Sequence, residues 1–120
     1  MPALARAQKL GGRAARAGFD WEHSEDVVEK LHEEIEEVKE AINRNHEDDI
    51  RAELGDLLFS VVNVSRYLGH NPEELLNHNI KKFVRRFRHV EDRVHESGKE
   101  FKEFTLEELD TFWDEAKREE

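Results

Sequence analysis

Two short segments place acidic side chains at helical spacing beside an apolar stripe. Glu34 and Glu37 stand three residues apart in HEEIEEVKEAI, and Glu53 and Asp56 stand three residues apart in AELGDLL. On a helix, residues three apart share a face. Four carboxylates brought together repel one another unless cations lie between them. Hard oxygen ligands without sulfur suit Mg²⁺ or Mn²⁺, so the pattern indicates a divalent-cation site.

The same spacing also occurs on ordinary solvated helix faces, so the pattern alone leaves a surface role open for these acids. Lys30 lies one turn before Glu34 and is interpreted as its ion-pair partner. The Glu29-x-x-His32 unit is unrepeated, which disfavours a ferritin-like iron site, and no HExxH zinc motif occurs. The chain has no Cys, which excludes disulfides, a thiolate nucleophile and Cys-based metal sites.

Helices must position these side chains. Apolar residues at intervals of three and four predict helices over about 24–44 and 47–68. Ser24 is the predicted N-cap of the first of them. A short turn near Asn45 would make the two helices antiparallel and bring the four acids together. Asn63 continues the polar edge that Glu53 and Asp56 begin.

Turn and capping residues predict two further helices. Asn71 followed by Pro72 predicts a third long helix that ends near residues 97–98, and Thr105 predicts the start of a short C-terminal helix. No segment alternates apolar and polar residues as a strand does. We therefore predict a single all-α domain over residues 1–120, a four- to five-helix bundle completed by dimerisation.

Composition limits the classes of protein that this chain could be. Asp and Glu number 29 against 19 Lys and Arg, the net charge is -10, and hydrophobic residues make up 37%. Such a lean helical unit is expected to pack against another copy. No apolar run is long enough for a membrane span or a signal peptide, and we expect a cytoplasmic protein. The basic N-terminal segment suits a short docked helix better than a targeting arm, although Gly11 and Gly12 weaken that helix.

One segment reverses the acidic balance. Lys81–Arg93 holds six basic residues against two acidic ones. Lys82 and Arg86 lie one turn apart and could hold phosphates or simply offset acidic neighbours, while Phe83 and Phe87 are predicted to point into the core. The overall charge repels polyanions, which disfavours nucleic acid as a partner.

Four stretches, in this order, resemble the MazG family of nucleoside triphosphate pyrophosphohydrolases: KLHEEIEEVKEAI, AELGDLLFSVVNVSRYLGHNPEE, KKFVRRFRHVE and TLEELDTFWDEAK. The resemblance covers about residues 4–117 and includes the family's Glu-x-x-Glu and Glu-x-x-Asp signature. It implies an all-α, Mg²⁺-dependent enzyme that forms dimers, or tetramers. Its reaction would cleave a (deoxy)nucleoside triphosphate between the α and β phosphates, in housecleaning of the nucleotide pool.

The resemblance also implies roles for individual residues. Catalysis and metal binding would fall to Glu34, Glu37, Glu53 and Asp56. The residues expected to contact the substrate are Lys30, Asn63, Lys82, Arg86 and Trp113. The chemistry of the site, rather than the resemblance, makes a carboxylate left free of metal, that of Glu37 or Glu33, the expected proton acceptor. The chain is similar to the C-terminal catalytic domain of tandem-domain members, whether it stands alone or belongs to a longer protein. The alternative is a helical protein–protein interaction module without turnover.

Overall fold

Five α-helices make up almost the whole of the computed structural model, which describes residues 1–120 and contains no strand. They are α1 (Ala3–Arg16), α2 (Ser24–Arg44), α3 (Glu47–Tyr67), α4 (Pro72–Ser97) and α5 (Leu106–Arg118), with a short 3-10 helix at Phe101–Glu103. The predicted all-α class is confirmed. None of the helices combines the length and the apolar character that crossing a membrane requires.

The chain forms two compact units, residues 1–75 and residues 76–120. In the first unit α3 packs against both α2 and α1. Two residues join α2 to α3, and the first of them, Asn45, ends α2 in the left-handed region with φ 54. Because so short a turn links two helices that pack together, they run antiparallel, as predicted. The single domain expected over residues 1–120 stays a prediction.

Helix α2 covers the predicted residues 24–44, but its N-cap is not the predicted one. His23 is the N-cap and Ser24 is already the first helical residue. No side chain caps this helix end, so the expected Ser24 cap is wrong. The acids Glu25 and Asp26 lie in the first turn, where they oppose the positive end of the helix dipole.

The N-terminal helix runs without interruption through both glycines that were expected to weaken it. Gly11 lies against α3, where a Cβ atom would come within 2.9 Å of Asn63 Oδ1 and 3.0 Å of Arg66 Nε. Gly11 therefore permits the close approach of α1 to α3, which compensates for its low helix propensity.

The second unit holds most of α4 together with α5. Val90, Val94 and Ala116 are its buried apolar residues. Phe83 and Phe87 stack on each other with ring centroids 5.8 Å apart, but they remain 53% and 38% exposed. Their predicted place in the core is therefore wrong for the single chain, because the helical period identifies an apolar face without identifying what covers it.

Candidate metal centre

Three of the four predicted acids come together between α2 and α3. Glu34 on α2 and Glu53 and Asp56 on α3 each offer a carboxylate oxygen, and these oxygens all lie within 4.8 Å of one another. Glu34 is buried at 8% exposure, Glu53 is half-buried and Asp56 is exposed. The antiparallel pairing of the two helices produces this arrangement, because it places the second half of α2 beside the first half of α3.

The electrostatics of the cluster reflect crowded negative charge. Partial burial raises the pKa of Glu53, and the charges of Glu37, Asp56 and Glu34 raise it further. Lys30 Nζ lies 3.0 Å from Glu34 Oε1, which confirms the predicted ion pair. The hydrogen bond to Glu34, with the attraction of that carboxylate, raises the pKa of Lys30. One ammonium thus offsets part of the charge of three carboxylates.

Glu37 is not one of the three residues whose oxygens converge. It is exposed on α2, although its charge is felt at Glu53. The donor set of Glu34, Glu53 and Asp56 consists of hard carboxylate oxygens with neither sulfur nor imidazole. Such a set fits a hard divalent cation, and the mutual repulsion of the carboxylates favours one. The fit of these carboxylates to a cation thus rests on the distances between their oxygens as well as on sequence spacing.

A cavity of about 340 Å³ opens beside the carboxylates. Its lining residues are Trp21, Lys30, Glu34, Asp56, Phe59, Ser60 and Asn63. Asp56 and Asn63 are seven residues apart on α3, which corresponds to roughly 10 Å along the helix axis. The cavity wall thus combines carboxylates, two aromatic rings and a side-chain amide, with the amide of Asn63 about two helical turns from Asp56.

Sequence reasoning placed Lys30 and Asn63 at the site but missed Trp21 and Phe59. Trp21 precedes α2, outside any helical pattern, and only the packing of α1, α2 and α3 brings it to the cavity. Phe59 belongs to the apolar run of α3 and is half-exposed at the cavity wall. Neither residue has a local signal that distinguishes it from an ordinary core aromatic.

The other predicted substrate contacts lie in the second unit. Arg86 Nε and Nη2 donate to the two carboxylate oxygens of Glu120 at 3.0 and 2.9 Å. The Arg86 guanidinium also lies 5.7 Å from the ring centroid of Trp113. Lys82 is half-buried on the same helix. Arg86 thus contacts both Trp113 and Glu120, and Lys82 lies one turn before it on α4.

The fold and the site define a class of protein: an all-helical domain that carries a carboxylate cluster suited to a divalent cation beside a cavity. Residues 22–91 match the MazG nucleotide pyrophosphohydrolase domain, and the chain therefore belongs to the MazG family. This confirms the family resemblance drawn from the sequence.

Curated relatives match over a longer stretch. The chain is 41% identical over 117 residues to the nucleoside triphosphate pyrophosphohydrolase/pyrophosphatase MazG of Thermotoga maritima, a match that covers 98% of this chain and 45% of that protein. It is 43% identical over 122 residues to the nucleoside triphosphate pyrophosphohydrolase of Escherichia coli K12, covering 100% of this chain and 46% of that protein. The chain thus spans about half the length of the curated relatives it matches.

Proposed function

We propose that this domain hydrolyses nucleoside triphosphates between the α and β phosphates and releases a nucleoside monophosphate and pyrophosphate. The observation that carries the proposal is the convergence of Glu34, Glu53 and Asp56 within 4.8 Å beside a cavity. The relatives from Thermotoga maritima and Escherichia coli are named nucleoside triphosphate pyrophosphohydrolases, which is this activity. A role in nucleotide-pool housecleaning and a cytoplasmic location belong to the same proposal.

The cation of the proposed reaction is Mg²⁺, with Mn²⁺ as a substitute. Glu34, Glu53 and Asp56 would hold it, and Glu37, one turn along α2 from Glu34, completes the proposed set. A bound divalent ion neutralises phosphate charge and acidifies a bound water. A triphosphate carries about four negative charges, so a chain of net charge -10 needs such neutralisation at the site to bind it.

The chain's own residues supply binding and proton transfer. The Lys30 ammonium lies at the cavity and can pair with a phosphate oxygen. Asn63 lines the same cavity about two helical turns from Asp56, where the nucleoside would lie. A carboxylate oxygen of Glu37 or Glu33 is proposed to accept the proton of the attacking water. Lys82, Arg86 and Trp113 are proposed substrate contacts on the strength of the family resemblance alone.

A product-resolved assay tests the reaction. The eight canonical ribo- and deoxyribonucleoside triphosphates are incubated with the protein, with and without Mg²⁺, and the products are separated by ion-exchange chromatography. We expect monophosphate and pyrophosphate in equal amounts, only when Mg²⁺ is present. If the products were instead a nucleoside diphosphate and inorganic phosphate, the proposed cleavage between the α and β phosphates would be refuted. The absence of turnover under all conditions would favour the interaction module.

We also propose that the working form is a homodimer, with a tetramer as the alternative. Leu54, Leu58 and Val61 follow one another at helical spacing on α3, and Leu68 directly follows the helix; these four residues are 44% to 63% exposed. An uncovered apolar stripe of this length is costly in water, and a second copy of the chain would cover it. Sedimentation equilibrium should therefore give twice the chain mass for the wild type.

The matched variants for this test are Val61→Glu, which puts a charge on the stripe, and Ala52→Glu, which puts the same charge on an exposed position of the same helix. We expect Val61→Glu to give monomers and Ala52→Glu to leave the association unchanged. A monomeric wild type would overturn the proposal.

A further inference from the structure

Arg66 connects the loop between α1 and α2 to the cavity. Its Nη2 and Nη1 donate to the two carboxylate oxygens of Asp20 at 2.8 and 3.3 Å, and its Nε donates to Asn63 Oδ1 at 3.4 Å. The Arg66 side chain is only 13% exposed. The hydrogen bonds from Arg66 hold the pKa of Asp20 below its usual value, so the pair stays ionised at neutral pH.

This contact determines which way the Asn63 amide faces. A guanidinium is only a donor, so the atom that faces Arg66 Nε is the Asn63 carbonyl oxygen. Gly11 leaves room for that oxygen, because a Cβ atom there would lie 2.9 Å from it. The amide nitrogen is therefore on the side away from Arg66 and α1.

The amide nitrogen of Asn63 is free to bind a ligand. No protein group takes part in a hydrogen bond with it, and no side-chain polar atom of the protein is buried without a partner. The NH2 group is thus open to solvent in a cavity that Asn63 lines. Trp21, the residue after Asp20, lines the same cavity, so the Asp20–Arg66 pair also fastens the segment that carries this ring.

We propose that Arg66 is a positioning residue that holds the Asn63 amide with its NH2 group directed at an acceptor atom of the nucleoside. The inference rests on the proposed function, because it takes the cavity to be the place where the nucleoside binds. Asn63 lies roughly 10 Å along α3 from Asp56, so the amide reaches the nucleoside part of a nucleotide whose phosphates lie at the carboxylates. The site then favours nucleosides that present a carbonyl oxygen or an unprotonated ring nitrogen there.

The test measures the binding of the two reaction products separately and needs no turnover. Dissociation constants for the eight canonical nucleoside monophosphates and for pyrophosphate are measured by calorimetry in Mg²⁺, for the wild type, Asn63→Ala, Arg66→Gln and the double variant. One neutral hydrogen bond corresponds to about a three- to tenfold change in affinity. We expect that loss for the preferred monophosphate in each single variant, and pyrophosphate binding within twofold of the wild type.

The double variant separates positioning from an independent role. If Arg66 acts through Asn63, the double variant binds the monophosphate no more weakly than Asn63→Ala does. Additive losses, or an Arg66→Gln variant that binds like the wild type, would overturn the inference. So would a wild type that binds none of the monophosphates.

Two further variants guard against a purely structural effect. Arg66→Lys keeps the charge opposite Asp20 but lacks the planar N–H group that faces Asn63, and we expect it to show the same loss of monophosphate affinity. Restored affinity in Arg66→Lys would instead contradict orientation by Arg66. Arg13→Gln, the same substitution at an exposed position on α1, serves as the matched control and should bind both products normally. A wild type that binds monophosphates but turns over no triphosphate would refute the proposed function and leave this inference standing.

Discussion

At the scale of single residues, repulsion among the clustered carboxylates destabilises the fold that brings them together. Glu53 and Asp56 face the buried Glu34, which pairs with the Lys30 ammonium, while the charge of Arg44 also acts on Glu53. Replacing one of these carboxylates by an amide of the same shape should therefore stabilise the cation-free protein. The same replacement removes a ligand that a cation needs. The same substitution thus has opposite effects on stability and on metal binding.

We expect Glu53→Gln to raise the melting temperature of the cation-free protein by about 1–3 °C, because it relieves repulsion within the cluster. Addition of millimolar Mg²⁺ should raise the melting temperature of the wild type and leave that of the variant unchanged. Differential scanning fluorimetry measures both. Glu36→Gln removes an exposed acid of α2 that pairs with Lys39, and it should keep the magnesium response. An equal magnesium response in Glu53→Gln would contradict metal binding at the cluster.

Lys30 gives the complementary prediction. Lys30→Met leaves the buried Glu34 carboxylate without its 3.0 Å partner, which should lower the free energy of unfolding by about 1 kcal/mol in the absence of cations. Mg²⁺ should recover most of that loss, because it replaces the missing positive charge. Urea denaturation with and without Mg²⁺ measures the two values. A loss that Mg²⁺ does not reduce would show that Lys30 acts through packing instead.

At the scale of helices, the ends are defined by local side-chain contacts. Asn71 Oδ1 accepts hydrogen bonds from the backbone N–H groups of Glu73 and Glu74, so α4 begins at Pro72 as predicted. Thr105 and Glu108 form a reciprocal capping box at the start of α5. These contacts involve residues at most three apart, which is why sequence patterns locate them.

We expect Thr105→Ala to lower the free energy of unfolding by about 1 kcal/mol, because the backbone N–H group of Glu108 loses its acceptor. Thr111→Ala offers a matched comparison on the same helix. The Thr111 hydroxyl donates to the carbonyl of Glu107 within the helix, so its loss should be neutral or slightly stabilising. Equal effects of the two substitutions in urea denaturation would contradict a capping role for Thr105.

At the scale of the whole molecule, acid should unfold the protein through a few specific carboxyls. Hydrogen bonds from Arg86 lower the pKa of Glu120 from 4.5 to about 2. Hydrogen bonds from Arg66 lower the pKa of Asp20, and hydrogen bonds with Thr105 lower the pKa of Glu108. A carboxyl with a lower pKa in the folded chain stabilises the fold above its unfolded pKa, and this contribution disappears as the pH falls through the folded value.

The melting temperature should therefore fall progressively from about pH 5 toward pH 2. Thermal unfolding by circular dichroism at half-unit pH steps measures the profile. Glu120→Gln removes the carboxyl whose pKa is lowered to about 2, so the decline of this variant between pH 4 and pH 2 should be shallower than that of the wild type. A profile identical to the wild type would show that the pair with Arg86 does not contribute to stability.

The sequence predicts the parts of this molecule that depend on local pattern and leaves out those that depend on packing. The bounds of α2, α3 and α4 follow from apolar periodicity and turn residues. The sequence predicts that Gly11 weakens α1, and only the packed structure shows that a Cβ atom at this position would meet Asn63 and Arg66. The acids of α2 and α3 could be paired from the sequence because a short turn joins the two helices. The place of Trp21 at the cavity could not be predicted from the sequence, since it depends on three helices packing together.

The ion pair between Asp20 and Arg66 joins positions 46 residues apart, and it has a consequence for how the chain opens. It ties the link between the first two helices to the last turns of α3, so these two stretches should open together rather than fray separately. Hydrogen exchange of their backbone amides would then report a common free energy of opening. Loss of the pair would release the link first and expose the Trp21 indole to water.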